Sequence, residues 1–181
     1  MDIFFFQVNI FKIILIFYLA AQISAKIEFT NMKCTSFDKD FSDFEYCYIK
    51  SINRTYKYIS LKVKLYKVPI TNITVNFSFM KRTNGYKPFL YNITADACKF
   101  LKNPKSNPVL IYMYGLFKTY SNMNHTCPYD HDVILEKLYT DFINNQFTKI
   151  LPFPEGDYLF QTHWMAYGIL RATVKVYVTL N

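Results

Sequence analysis

Apolar and polar residues alternate along three stretches of the chain, with the period of two that marks a half-buried antiparallel strand. Residues 59–65 carry apolar side chains at every odd position and polar ones between them. Residues 72–79 and 89–94 alternate in the same way, and Asn84-Gly85 lies between them. Both residues of an Asn-Gly pair tolerate positive φ, so this pair predicts a hairpin that joins the second and third strands.

The end of the chain predicts another hairpin, with the clearest alternation of all. Residues 157–165 form its first strand, and a turn is expected near Tyr167-Gly168. In the last strand the apolar positions are expected to face the core and the polar positions to face solvent. The inward set is Leu170, Ala172, Val174, Val176 and Val178, and the outward set is Arg171, Thr173, Lys175, Tyr177 and Thr179.

The middle of the chain predicts two short helices. Residues 96–101 have the character of a helical turn that Pro104 ends, and Asn107-Pro108 is a typical N-cap followed by proline at the first helical position. Beyond this cap, apolar residues keep the i, i+3, i+4 spacing of a helix face. The residues of this face are Val109, Tyr112, Met113, Leu116, Phe117 and Tyr120.

Alternating strands, few helices and frequent turn signals predict a mainly β protein, an antiparallel two-sheet β-sandwich with one or two short helices. An apolar content of 51% excludes wholesale disorder. The four glycines are too far apart for a phosphate-binding Gly-rich loop, which excludes nucleotide-binding folds of that kind. No repeat or linker divides the chain, so residues 26–181 are expected to form one domain.

Residues 1–25 have the pattern of a secretory signal peptide. An apolar run follows Lys12, and the small pair Ser24-Ala25 supplies a cleavage site, which makes Lys26 the first mature residue. The run is shorter than the roughly 20 residues that a membrane span needs. The alternative is an uncleaved membrane anchor. Cleavage is the preferred interpretation, and it predicts a secreted, extracellular protein.

Cysteines and sequons agree with export. Four cysteines in a short secreted chain suggest two disulfides, with three connectivities open. A bridge between Cys98 and Cys127 would staple the predicted second helix across a loop of about 30 residues. Five N-x-[ST] sequons predict a glycoprotein, and those on the predicted strands lie on polar faces. The sequon asparagines are Asn53, Asn72, Asn76, Asn92 and Asn124.

Charge and candidate chemistry argue against nucleic acid and against catalysis. The net charge is +8, but the cations are scattered singly, as on a solvated face, and no nucleic-acid-binding motif occurs. His125 precedes Cys127, yet a disulfide would remove that thiolate, and the neighbourhood of His131 lacks the partner spacing of a zinc site. Asp38 and Asp40 have the setting of a solvated turn. We expect no catalytic residues, no metal and no cofactor.

Three spaced motifs resemble a large insect family of secreted proteins that is catalogued mostly as a domain of unknown function. They are residues 83–91 around Asn-Gly-Tyr, residues 96–101 with Asp-x-Cys-Lys-Phe, and residues 121–129 ending in Cys-Pro-Tyr. The resemblance covers roughly residues 29–180. That family is similar, more distantly, to the ganglioside-activator and ML lipid-recognition β-sandwiches and to CheB-type chemosensory proteins.

This resemblance implies a cup-shaped sandwich whose sheets splay apart around an acyl chain or another apolar ligand. Cys127-Pro128-Tyr129 and the strand opening at Gly156 stand where the activator proteins have matching segments. Activator proteins tie an N-terminal cysteine to one in the last strand, and here the last strand has none. The resemblance therefore leaves Cys34 to pair with Cys47, and Cys98 with Cys127.

A cup for an apolar ligand needs more large inward side chains than packing alone requires. The loop 151–154 is a candidate for part of the cup rim. The aromatic candidates for the cavity wall are Phe77, Phe79, Phe89, Tyr91, Phe100, Phe117, Phe160 and Trp164.

Three functions follow as hypotheses. The first is a secreted carrier that sequesters a lipid or lipid-like ligand without covalent chemistry, in a chemosensory or pheromone response as the resemblance implies. The second is an extracellular accessory protein that binds a receptor ectodomain, another protein or a membrane surface, with a filled core and no ligand. The third, and least supported, is a hydrolase using His125 or His131.

Overall fold

The computed structural model describes residues 26–53, 56–147 and 153–181. The predicted signal peptide, residues 1–25, lies outside the described residues, and so do Leu151 and Pro152 of the predicted rim. The strands are β1 (Ile27–Ser36), β2 (Ser42–Ser51), β3 (Lys57–Leu65), β4 (Ile73–Thr83), β5 (Gly85–Asp96), β6 (Val133–Tyr139), β7 (Gly156–Ala166) and β8 (Ile169–Leu180). The α-helices are α1 (Ala97–Lys102), α2 (Pro108–Gly115) and α3 (Thr140–Phe147).

The strands form two antiparallel sheets, which confirms the predicted mainly β sandwich class. One sheet has five strands in the order β1-β8-β7-β4-β5, and the other has three in the order β2-β3-β6. The Asn84-Gly85 hairpin is confirmed, because Thr83 pairs with Gly85 across the turn and Gly85 has φ +90°. The C-terminal hairpin is confirmed as β7 and β8, with the turn at Tyr167 and Gly168.

The helices agree with the prediction in position but not in extent. Asp96 caps α1, its side chain accepting from the Lys99 N–H, and Asn107 caps α2 in the same way. The predicted helix to Tyr120 is too long, because α2 ends at Gly115 and a 3₁₀ turn follows. Almost every residue of this stretch is apolar, so the helical spacing could be drawn through more than one face. The buried residues of α2 are Leu110, Met113 and Tyr114.

Two disulfides connect parts of the fold that the strand ladders leave separate. Cys34 on β1 is bonded to Cys47 on β2, so this bridge joins one sheet to the other although only 13 residues separate its ends. Cys98 on α1 is bonded to Cys127, in the segment that leads to β6. The pairing is the one that the resemblance implied. Both open sides of the sandwich therefore carry a covalent link.

The segment between β5 and β6 forms a third wall. It contains α1, α2 and two 3₁₀ turns, and Leu110 and Phe100 pack against Val75 and Phe77 on β4. On the opposite side, β1 and β2 meet at the Cys34–Cys47 bridge. The two sheets, this helical wall and the bridged edge surround a common interior.

Candidate functional site

An apolar cavity of about 250 Å³ lies between the two sheets. Its wall is almost entirely apolar and is built from both sheets, from α1 and α2 of the helical wall, and from α3. Leu61 on β3 faces it from the smaller sheet, and Val174 on β8 faces it from the larger one. Alternation on these strands supplies the apolar lining of the cavity, because side chains of a strand point in turn to its two faces.

The predicted aromatic candidates divide into two groups. Those that line the cavity are Phe77, Phe79, Phe100, Phe117, Phe160 and Trp164. Phe89 and Tyr91 on β5 do not line it. They are half-buried and pack against the main core cluster, with the ring centroid of Phe89 6.2 Å from that of Phe79.

One end of the cavity is packed with rings. Phe79 stacks on Tyr158 with a centroid separation of 5.2 Å, and Phe147 and Phe153 contact Phe79 at 6.1 and 5.8 Å. The Tyr158 hydroxyl donates to the Pro154 carbonyl, which fixes this cluster to the segment before β7. Phe153, from the predicted rim, therefore forms part of a plug at this end.

The other end contains a charged pair that the sequence did not reveal. Arg171 Nη1 donates to Asp38 Oδ2, and the Arg171 guanidinium lies over the Phe41 ring at 4.1 Å. Arg171 and Phe41 both line the cavity. Asp38 also accepts from the Phe41 N–H at 3.1 Å. The predicted turn is present with Asp40 exposed in it, whereas Asp38 is ion-paired.

The prediction that Arg171 faces solvent is wrong, and a β-bulge is the reason. Trp164 pairs with Ala172 while the next residue, Met165, pairs with Leu170, so Arg171 is an extra residue on β8. An extra residue reverses the alternation locally. Leu170, expected to face the core, is accordingly 36% exposed, whereas the Arg171 side chain is only 14% exposed. Thr173, also expected to face solvent, is buried and bonded to His163.

Other polar groups of the wall direct their hydrogens at protein acceptors. Trp164 Nε1 donates to Thr162 Oγ1 at 2.8 Å, Tyr114 OH donates to the Met123 carbonyl, and Tyr129 OH donates to the His125 carbonyl. Burial raises the pKa of Tyr129 to about 12, so this phenol stays neutral at physiological pH. The Arg171 Nε–H differs: it is buried and has no hydrogen-bond partner within the described part of the chain.

The histidines singled out in the sequence lie together, outside the cavity. His125 Nε2 is 2.8 Å from His131 Nε2, and the His125 ring stacks on Tyr129 with centroids 4.5 Å apart. Among the residues that the structure describes, no group of three or more His, Cys, Asp or Glu side chains is placed to hold a metal ion. Cys127 is bonded to Cys98 and so has no thiolate.

The sequon asparagines are placed unequally. Asn53, Asn72, Asn92 and Asn124 are exposed, whereas Asn76 is half-buried on the outer face of β4. Asn76 lies beside Asn92 and Thr94 of β5 and bonds to both. The described residues include no helix long and apolar enough to cross a membrane.

Comparison with known proteins gives a family match for the central part of the chain. No curated protein matches this sequence. The matching family segment begins in β4, contains the hairpin, the helical wall, β6 and α3, and ends in β7, so it holds every predicted cavity residue except Trp164. Over residues 75–160, just under half of the chain, the sequence matches the family model described as a protein of unknown function (DUF1091).

Proposed function

We propose that this protein is a secreted carrier that holds an apolar small molecule, without covalent chemistry, in the cavity between its sheets. The observation that carries the proposal is the cavity itself, about 250 Å³ in volume with an almost entirely apolar wall. The proposal includes the resemblance to ganglioside-activator, ML and CheB-type proteins, because those sandwiches hold apolar ligands in a cup.

An apolar cavity lowers the stability of a protein unless something fills it. The loss is about 24 cal/mol per Å³ for a fully enclosed core cavity, and smaller for one that is partly open, as this one is. Whole domains are stable by only about 5–15 kcal/mol. A guest molecule that fills the space would recover much of this loss, so the cavity is better explained by occupation than by imperfect packing.

Water is a poor occupant of this space. A buried water needs two to four polar partners, and apolar cavities of about 150 Å³ stay dry and bind benzene-sized molecules. In this wall Trp164, Tyr114 and Tyr129 already donate to protein acceptors. An apolar body that makes dispersion contacts with the wall fits the cavity better than a water cluster.

Secretion is the other half of the proposal. Residues 1–25 have the signal-peptide pattern, and five sequons predict passage through the glycosylation machinery. The two disulfides favour an oxidising compartment. A carrier outside the cell would need this covalent support because its core contains open space.

The experiment is a binding assay with N-phenyl-1-naphthylamine, a dye that fluoresces in apolar surroundings. Wild-type protein should bind the dye, and Val174→Phe, which narrows the cavity from β8, should weaken binding while keeping or raising its Tm. Ile169→Phe is the matched control, because Ile169 is on the same strand but exposed. Equal dye binding by wild type and the folded Val174→Phe variant would contradict the proposal.

One observation favours the accessory-protein alternative as a second candidate. Six of the ten large apolar side chains that stand exposed among the described residues lie at the Arg171 end of the sandwich, in the loops after β1 and β3, in the β7–β8 turn and at the start of β8. These loops touch: the Phe37 N–H donates to the Arg171 carbonyl, and Tyr167 OH donates to the Pro69 carbonyl. We call this surface the apolar tip, and its residues are Phe37, Tyr66, Val68, Tyr167, Ile169 and Leu170.

The apolar tip suits a protein partner better than an anionic membrane. Its exposed charges, Lys39 and Lys67 against Asp40, come close to cancelling, and Asp38 is paired with Arg171. Exposed aromatic side chains are typical of protein interfaces. Tyr66→Ser/Tyr167→Ser should abolish capture of a receptor ectodomain and leave dye binding intact. Loss of dye binding as well would mean that the tip residues contribute to ligand binding in the cavity and do not form a separate protein interface.

A further inference from the structure

We propose that the Arg171 Nε–H is the hydrogen-bond donor for a neutral oxygen acceptor at the end of the bound ligand. This inference rests on the proposed carrier function and adds the chemical class of the guest. The guest would be an apolar chain that ends in an ester, ketone or similar group. A plain hydrocarbon or a fatty acid would fit the site less well.

The guanidinium is anchored through one nitrogen and one face. Nη1 is paired with Asp38, the planar group lies over Phe41 at 4.1 Å, and the side chain is 14% exposed. Nε is a buried N–H without a partner in the part of the chain that the structure describes. Buried donors are nearly always satisfied, and the exceptions call for an explanation. A ligand acceptor in the cavity that Arg171 lines supplies one.

The backbone brings this arginine to the wall by a local irregularity. Without the bulge at Arg171, opposite Trp164 and Met165, the alternation of β8 would place Arg171 on the outer face with Thr173. The bulge instead exposes Leu170 and sets the arginine at the cavity. Bulges are over-represented beside functional sites, where they re-aim one side chain. Without such a function, burying a charged group in an apolar wall would only lower the stability of the fold.

Charge decides between acceptor types. Asp38 already neutralises Arg171, so the pair as a whole carries no net charge. A carboxylate bound at Nε would leave one uncompensated negative charge in a poorly solvated site, beside the Asp38 carboxylate. A carbonyl or ester oxygen accepts the same hydrogen bond without adding charge. Neutral oxygen acceptors are therefore favoured over fatty acids.

The test uses three straight-chain ligands of equal length, namely undecane, octyl acetate and decanoic acid. Their Kd values are measured at neutral pH by displacement of N-phenyl-1-naphthylamine from the full secreted protein. The variants are Arg171→Lys, which keeps a cation beside Asp38, and Asp38→Asn/Arg171→Met, which removes both charges. Arg82→Lys is the matched control, because Arg82 is paired with Asp157 on the exposed surface.

Wild type and Arg82→Lys should bind octyl acetate about ten- to a hundredfold more tightly than undecane, the range expected for one hydrogen bond to a charged donor. Both Arg171 variants should bind undecane normally and lose that preference. Undecane and octyl acetate binding equally to wild type, or a preference that survives in either folded Arg171 variant, would overturn the proposal while leaving the carrier function standing. Tightest binding of decanoic acid would overturn the neutral-acceptor class. If none of the three ligands binds, the carrier function itself fails.

Discussion

Asn76 Nδ2 donates to Asn92 Oδ1 across the β4–β5 hairpin at 2.9 Å, so two sequon asparagines are bonded to each other. Asn76 Nδ2 also donates to Thr94 Oγ1 at 2.9 Å, and Ser78 Oγ donates to Asn92 Oδ1 at 3.1 Å. Both sequons thus contribute their asparagine and their hydroxyl residue to one network on the outer face of the larger sheet. A glycan at Asn76 would replace one of the donated hydrogens.

We therefore expect unequal glycosylation of this pair. In protein secreted from insect cells, Asn92, which is exposed, should carry a glycan in a much larger fraction of molecules than Asn76, which is half-buried. Peptide mass spectrometry after enzymatic deglycosylation in heavy-oxygen water measures both occupancies. Exposed Asn72 and Asn124 are internal controls. Full occupancy at Asn76 in folded, secreted protein would show that the network does not persist.

His163 predicts a loss of stability on mild acidification. Its Nδ1–H donates to Thr173 Oγ1 at 2.9 Å and its Nε2 accepts from Gln161 Nε2 at 2.5 Å, an arrangement that needs a neutral ring. Burial, with a smaller contribution from Lys175, lowers the pKa of His163 from its ordinary value of 6.5.

The sign follows from proton binding. As the pH falls through 6.5, His163 takes up a proton in the unfolded chain but not in the folded protein. The free energy of unfolding therefore decreases, by at most about 1.4 kcal/mol per pH unit. The decrease stops once the pH is below the folded-state pKa. Urea unfolding at a series of pH values should show a shallower decrease for His163→Gln than for wild type. Parallel curves would exclude this role.

The two charged Arg–Asp pairs should differ in their effect on stability. Arg171→Met leaves Asp38 in a mostly covered position without its counter-ion, and we expect a loss of about 2 kcal/mol, reduced from the fully buried case because both groups keep some solvent contact. Arg82→Met breaks an exposed pair with Asp157 and should cost less than about 1 kcal/mol. Chemical unfolding of both variants makes the comparison, and an equal loss would argue against a special environment at Arg171.

The disulfides should stabilise the fold in the order of the loops that they close. The Cys98–Cys127 bridge spans 29 residues and the Cys34–Cys47 bridge spans 13, so the chain-entropy relation gives about 4 and about 3 kcal/mol. Replacing each pair by alanines and measuring urea unfolding tests both values. A change below about 1 kcal/mol for either double variant would mean that the remaining packing already restrains that loop.

Much of the larger sheet was predictable because its strands have one solvent-facing side and one side that faces the interior. The alternation around Val75 and Phe77, the Asn84-Gly85 turn and the C-terminal hairpin all carried that signal. β1 and β2 were missed. Each contains a register shift, between Phe29 and Asn31 in β1 and at Phe44 in β2, which interrupts the period of two.

The candidate site was predictable only where it is aromatic. Inward rings such as Phe160 follow from strand alternation, but Phe89 on β5 shares that alternation and still packs beside the cavity instead of lining it. Arg171 could not be found, because a bulge depends on pairing with β7 and leaves no mark in the local sequence. Its partner Asp38 is distant in the chain and is brought near only by the fold.

Native mass spectrometry of the protein secreted from insect cells tests the carrier function most directly. The folded protein should show, beyond its glycans and two disulfides, an added mass of one apolar molecule that disappears on denaturation and is less abundant in Val174→Phe. A mass without any such addition, together with no uptake of octyl acetate, undecane or decanoic acid supplied in excess, would contradict a cavity built for a guest.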